Sequence, residues 1–120
     1  MDNKYLQLPT IRETLEKNNV NIKRSLGQNF LFDLNLTDKI VRNCEPIAPT
    51  IIEIGPGPGS LTRSILKKKP NVLYTIDKDK QSEKMLADVK KIYKDSLIII
   101  TDDALNYPIW KLGNSPRQII

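Results

Sequence analysis

The chain has 120 residues, 39% apolar and 28% charged, with a net charge of +5. That length is about one domain on the usual expectation of roughly 150 residues, and the composition excludes both a disordered chain and a membrane-spanning one. The longest aliphatic run is Leu97, Ile98, Ile99 and Ile100, and the opening MDNKYLQLPT has neither the basic start nor the apolar block of a secretory leader.

A cytoplasmic location and no membrane partner follow as expectations. Cys44 is the only cysteine and there is no histidine, so neither an internal disulfide nor a metal site is expected. Charge is unevenly spread. Residues 1–30 carry +2, 31–60 carry −2, 61–94 carry +6 and 95–120 carry −1. Lys84, Lys90, Lys91 and Lys94 alternate with Met85, Leu86, Val89 and Ile92 at helical spacing, the pattern of a solvated helix face. Lys67, Lys68 and Lys69 precede Pro70, where cations complement the negative end of a helix and proline stops it.

In chain order, Thr10 and Glu13 have capping-box spacing ahead of the Ile11 and Leu15 stripe, so residues 1–22 form an N-terminal arm or helix. A second helix is expected over 36–44, with Leu36, Ile40, Val41 and Cys44 on one face, Asn35 as its cap, and Pro46 and Pro49 barring continuation. Ile51, Ile52 and Ile54 make a short strand around Glu53. Gly55, Pro56, Gly57, Pro58 and Gly59 then turn the chain, and Leu61, Ile65 and Leu66 resume at helical spacing. A strand over 72–76, one helix over 81–93 and a strand over 97–101 follow, the last apolar enough for burial on both faces. Strands alternating with helices imply a parallel α/β sheet.

A glycine turn between strand and helix lets a ligand approach the backbone at the positive end of the helix. A dinucleotide site prefers GxGxxG/A, whereas here Ser60 takes the third small position and the pattern is ExGxGxG. Such a turn suits a ligand with an amino-acid part and a ribose. Gly55 and Gly57 clear space and Glu53 can hold an ammonium group. Asp77 ends the second strand, 22 residues after Gly55, where a carboxylate accepts from ribose hydroxyls in either kind of site. Asp79 is assigned to capping the next helix. Asp103, followed by Ala104, is placed to accept from an adenine amine, with Asp102 the neighbour not chosen. Ligands bind outside the carboxyl ends of strands in open α/β sheets, and these residues fall there together.

The stretch KRSLGQNFL over 23–31, then Asp33 and Asn35, IIEIGPGPGSLT over 51–62, Asp77 with Asp79, and DDAL over 102–105 closely resembles the small-subunit ribosomal RNA adenine dimethyltransferases. These are related to the macrolide-resistance rRNA methylases and the mitochondrial transcription factor B proteins. The resemblance implies a Rossmann-like class I methyltransferase fold, stopping after about three parallel strands, with 23–120 as the N-terminal part of the cofactor domain. It implies S-adenosylmethionine as cofactor. Asn29 and Leu31 would meet its methionine end, with Gln28 and Phe30 shaping that wall, Gly55 the turn-side backbone, Asp77 the ribose and Asp103 the adenine. The family more often has glutamate at the position of Asp77.

The implied activity is dimethylation of two adjacent adenosines near the 3′ end of small-subunit rRNA. The partners would be that rRNA or a pre-30S particle, with Lys23 and Arg24 facing it and a monomeric full-length enzyme. The family's Asn-Leu-Pro-Tyr motif, which receives the target base, does not occur in these 120 residues, so no catalytic residue is assigned. Gln118, Ile119 and Ile120 look like the start of the strand preceding it. A fragment without full activity is the expectation. A non-catalytic RNA-binding or ribosome-assembly module and a dinucleotide oxidoreductase domain are the alternatives.

Overall fold

The computed structural model describes residues 8–20 and 32–120. Helix α1 spans Ile11–Lys17 and is closed by the predicted capping box: the Thr10 hydroxyl accepts from the Glu13 amide, and the Glu13 carboxylate accepts from the Thr10 amide. Helix α2 spans Leu34–Asn43. Its cap is Asp33, whose Oδ1 accepts from the Leu36 amide at 3.1 Å, not Asn35, which lies within the first turn. Both residue types can cap, and the helix takes the earlier one because Leu34 then joins Val20 and Phe32 against Ile11, Leu15 and Met85.

Strands β1 (Thr50–Ile54), β2 (Val72–Asp77), β3 (Leu97–Thr101) and β4 (Arg117–Ile119) form one parallel sheet in the order β3-β2-β1-β4. Helix α3 (Ser60–Lys67) links β1 to β2 and packs on α2. The architecture is Rossmann-like, with the central strand β1 carrying the glycine turn at its carboxyl end. Beside the three expected strands, the strand start expected at Gln118 is present as β4. Strand β4 pairs with β1 from Thr50↔Arg117 to Ile52↔Ile119, and Gln118 ties it down: its Oε1 accepts from the Ala48 amide at 3.0 Å and its Nε2 donates to the Cys44 carbonyl at 2.8 Å.

Two further expectations change. The helix over 81–93 is two, α4 (Gln81–Met85) and α5 (Ala87–Tyr93), broken at Leu86, which has ψ near 1° and is fully buried. Strand β3 is an edge strand with only Leu97 buried, and Ile98 is 38% exposed, so its apolar run covers one packed face. Lys90 likewise departs from a purely solvated role, because its ammonium is half-buried and donates to the carbonyls of Lys94 and Leu97 at the end of α5. Lys67 and Lys68 end α3 as expected and pair with Asp38 and Glu45.

The main core joins Val41, Ile51, Ile65, Leu66, Leu73, Val89 and Leu97. Burying such side chains contributes roughly 1.5–3 kcal/mol each, which fixes β1 and β2 side by side and holds their tips level. Among the described residues no helix is long and apolar enough to cross a membrane, and no group of three or more acidic, cysteine or histidine side chains could hold a metal ion.

Candidate functional site

The turn after β1 is built from three residues in the left-handed region: Gly55 at φ 68°, Gly57 at φ 54° and Gly59 at φ 96°. Only glycine adopts this at low cost. The three differ in what surrounds them. A Cβ at Gly59 would stand 2.7 Å from Leu86 Cδ2, so Gly59 exists for packing, whereas a Cβ at Gly55 or Gly57 meets nothing within 4 Å and faces open space.

Backbone hydrogen bonds stitch the strand tips together. The Gly55 amide donates to the Ile76 carbonyl and the Asp102 amide to the Asp77 carbonyl, both at 2.9 Å. Around these tips lie two adjoining hollows that share Ile54 and Gly55. One of about 300 Å³ is lined by Asp77, Lys78, Asp103, Ala104 and Leu105 among others. The other, of about 140 Å³, is lined by Glu53, Gly57, Ser60 and Leu61 on the far side of the turn. Together they fall in the lower part of the range of small-molecule sites, roughly 300–1,000 Å³.

Glu53 is only 2% exposed and its Oε1 accepts from Thr62 Oγ1 at 2.6 Å. Burial pushes its carboxyl up to about 7, with the Thr62 hydrogen bond pulling the other way. A buried acid with one neutral partner, at the wall of a hollow, is poised to ionise when a cation arrives.

Asp77 is half-buried. Its Oδ2 accepts from Ser82 Oγ at 2.6 Å and its Oδ1 from the Asp79 amide at 3.0 Å, which leaves lone pairs on both oxygens for a diol. Asp79 lies one residue before the N-cap of α4, Lys80, rather than at the cap as expected, and its Oδ1 accepts from the Gln81 amide at 2.9 Å. Asp103 Oδ1 accepts from the Leu105 amide at 3.0 Å and Oδ2 from Asn106 Nδ2 at 3.1 Å, so its own loop fixes the carboxylate. Asp102 is exposed and accepts from the Asp103 amide at 2.7 Å.

The structure thus brings Gly55, Asp77, Asp103 and Ala104 to one hollow and Glu53 and Gly57 to the next. Gln28, Asn29, Phe30 and Leu31, with Lys23 and Arg24, lie outside the described residues. Sequence reasoning missed Thr62, Ser82 and Lys78. The first two hold acids from a helix, and only their small polar character inside an apolar stripe signals it. A cavity of about 540 Å³ beside α1, lined by Arg12, Phe32 and Arg63 among others, contains none of the expected ligand residues.

The profile of the ribosomal RNA adenine dimethylase family matches residues 19–114. The chain belongs to that family. Ribosomal RNA small subunit methyltransferase A of Rhizobium meliloti is 42% identical over 114 residues, covering 94% of this chain and 42% of the relative. The protein of the same name from Bartonella bacilliformis is 44% identical over 109 residues, covering 90% of this chain and 39% of the relative. The chain therefore spans about two-fifths of the length of these dimethylase relatives. A solved structure described as a caffeoyl-CoA O-methyltransferase from Staphylococcus aureus superposes with a TM-score of 0.52 at 22% identity, covering 85% of this chain and 48% of that one, a likeness of fold.

Proposed function

We propose that this chain is the cofactor-binding part of an S-adenosylmethionine-dependent methyltransferase that dimethylates two adjacent adenosines of small-subunit rRNA. One observation carries the reading: Asp77, Asp103 and Gly55 line a single hollow at the tips of three neighbouring strands. The hollow's chemistry fits that donor. Glu53 is a buried acid for the α-ammonium, Asp77 an acceptor for the ribose diol and Asp103 an acceptor for the adenine amine, while the open sides of Gly55 and Gly57 leave room for the methionine chain.

The bound donor would supply an electrophilic methyl group on a sulfonium. Glu53, Asp77 and Asp103 would hold that donor, and the chemistry it would supply is transfer of the methyl group to an adenine N6 that gives up a proton, with the sulfur leaving as a thioether. For such a reaction the protein's contribution is alignment and exclusion of water rather than strong base chemistry. In this chain the rigid tips of β1, β2 and β3 provide the alignment. Residues for the target base are not assigned within these 120 residues, so the chain alone is expected to bind donor and leave RNA unmethylated. The reading places the protein in the cytoplasm, acting on a pre-30S particle as a monomer.

Calorimetric titration of the chain with S-adenosylmethionine and with NAD tests the reading. Binding of the first and not the second supports it; preference for NAD overturns it in favour of a dinucleotide domain. Incubation of labelled donor and small-subunit rRNA with the chain tests the second part, where transfer of label contradicts the expectation.

A further inference from the structure

Lys78 follows Asp77 at the end of β2 and lines the larger hollow. Its Nζ lies 3.6 Å from Asp103 Oδ2, so an ion pair joins the β2 tip to the loop after β3. The Lys78 side chain is 71% exposed and that of Asp103 27% exposed. Asp103 already takes the Leu105 amide on Oδ1 and the Asn106 amide on Oδ2. A carboxylate offers about four lone-pair sites, so these two bonds leave capacity free, and Lys78 faces it as an ion pair on a long, solvent-exposed arm.

We propose that Lys78 sets the nucleobase selectivity of the hollow, competing with a 6-amino group for Asp103 and offering its ammonium to a 6-oxo group instead. The proposal rests on Asp103 being the acceptor at the base end of the site. A bare carboxylate accepts only from donors, so Asp103 alone would favour adenine over a 6-oxopurine strongly. Beside it an ammonium reverses part of that preference, because Lys is a donor with no acceptor capacity. The pair is exposed and its strength is modest, so the change for each base is roughly two- to fivefold. Salt weakens the pair and thereby removes the competitor, so adenosine binding tightens slightly as ionic strength rises.

Adenosine and inosine affinities of the wild-type chain, Lys78→Met and Lys78→Arg test this, measured by calorimetry at low and high salt. Thermal melts would verify that these exposed substitutions leave the fold intact. Lys78→Met is expected to raise the adenosine-to-inosine affinity ratio by about four- to twenty-five-fold, the product of the two changes, and to lose the salt effect. Lys78→Arg is expected to restore the wild-type ratio. A ratio that is unchanged or lower in Lys78→Met overturns the proposal. If the wild type binds neither nucleoside, the assignment of the hollow itself fails.

Discussion

Thr62 Oγ1 donates to Glu53 Oε1 at 2.6 Å, tying helix α3 to strand β1 beneath the glycine turn. Glu53 is 2% exposed, and burial outweighs the Thr62 bond to lift its carboxyl from an ordinary 4.5 to about 7. A carboxyl raised in the folded state binds its proton more tightly there than in the unfolded chain. Its stabilising contribution is complete below pH 4.5 and is lost as pH rises through about 7. Glu53→Gln is expected to flatten stability over that window, with a gain of up to about 3 kcal/mol at pH 8 in urea unfolding. The same variant should weaken S-adenosylmethionine by about tenfold or more, through loss of a charge-assisted bond to the ammonium. A variant that keeps both the pH slope and the affinity would contradict the role given to Glu53.

The glycines of the turn separate by purpose. Gly59→Ala drives a methyl group to 2.7 Å from Leu86 Cδ2 at φ 96°. It is expected to cost about 2–4 kcal/mol, from overpacking and backbone strain together. Gly55→Ala meets no atom within 4 Å, so it should cost only the left-handed conformation, about 1–2 kcal/mol, while filling space beside the hollows. Denaturation combined with calorimetry would show Gly59→Ala acting mainly on stability and Gly55→Ala mainly on affinity.

Ser82 is buried and holds Asp77 Oδ2 at 2.6 Å. Removing that donor frees the carboxylate to rotate away from the hollow. Ser82→Ala is expected to weaken binding of a ribose-containing ligand by about three- to tenfold. A 2′-deoxyribose analogue should be affected less. Asp77→Asn should lose more than Asp77→Glu, because the longer acid retains both acceptors. Equal losses for ribo and deoxyribo ligands would separate Ser82 from the diol.

Which parts were legible in the sequence follows from range. The Thr10 capping box, the glycine turn and the ends of β2 and β3 are set by residues within a few positions of one another, and they stand where the spacing put them. The break at Leu86 is not legible from local spacing, which continues the apolar stripe through a residue that the structure buries fully and sets against Gly59, 27 positions earlier. Nor does the run Leu97 to Ile100 reveal that β3 pairs on one side only. The acids Asp77 and Asp103 could be named from their positions after strands. Their partners Ser82, Asn106 and Lys78 depend on side-chain directions that spacing does not encode.

Helices α2 and α3 share a polar seam: Thr37 and Ser64 hydroxyls lie 2.7 Å apart, and Ser64 Oγ donates to Asp38 Oδ1 at 2.6 Å. Burial acts to raise the Asp38 carboxyl, but Ser64, Lys67 and Arg42 together hold it below its ordinary 3.8. A lowered carboxyl stabilises above its unfolded value and loses that contribution as pH falls through the lower folded value. Acid unfolding of Asp38→Asn should therefore be shallower than wild type below pH 3.8. Ser64→Ala, which takes a hydroxyl donor from Asp38 while Thr37 keeps its bond to the Leu34 carbonyl, is expected to cost about 1–3 kcal/mol.

The central claim is that Gly55, Asp77, Asp103 and Ala104 surround one bound nucleoside. Amide chemical-shift mapping of the isotopically labelled chain during titration with S-adenosylhomocysteine tests it most directly. The account predicts that the largest shifts fall on residues 53–57, 77–78 and 102–105, with Asp77→Asn and Asp103→Asn each weakening the titration. Shifts concentrated instead at Arg12, Phe32 and Arg63, or a titration indifferent to both aspartates, would contradict it.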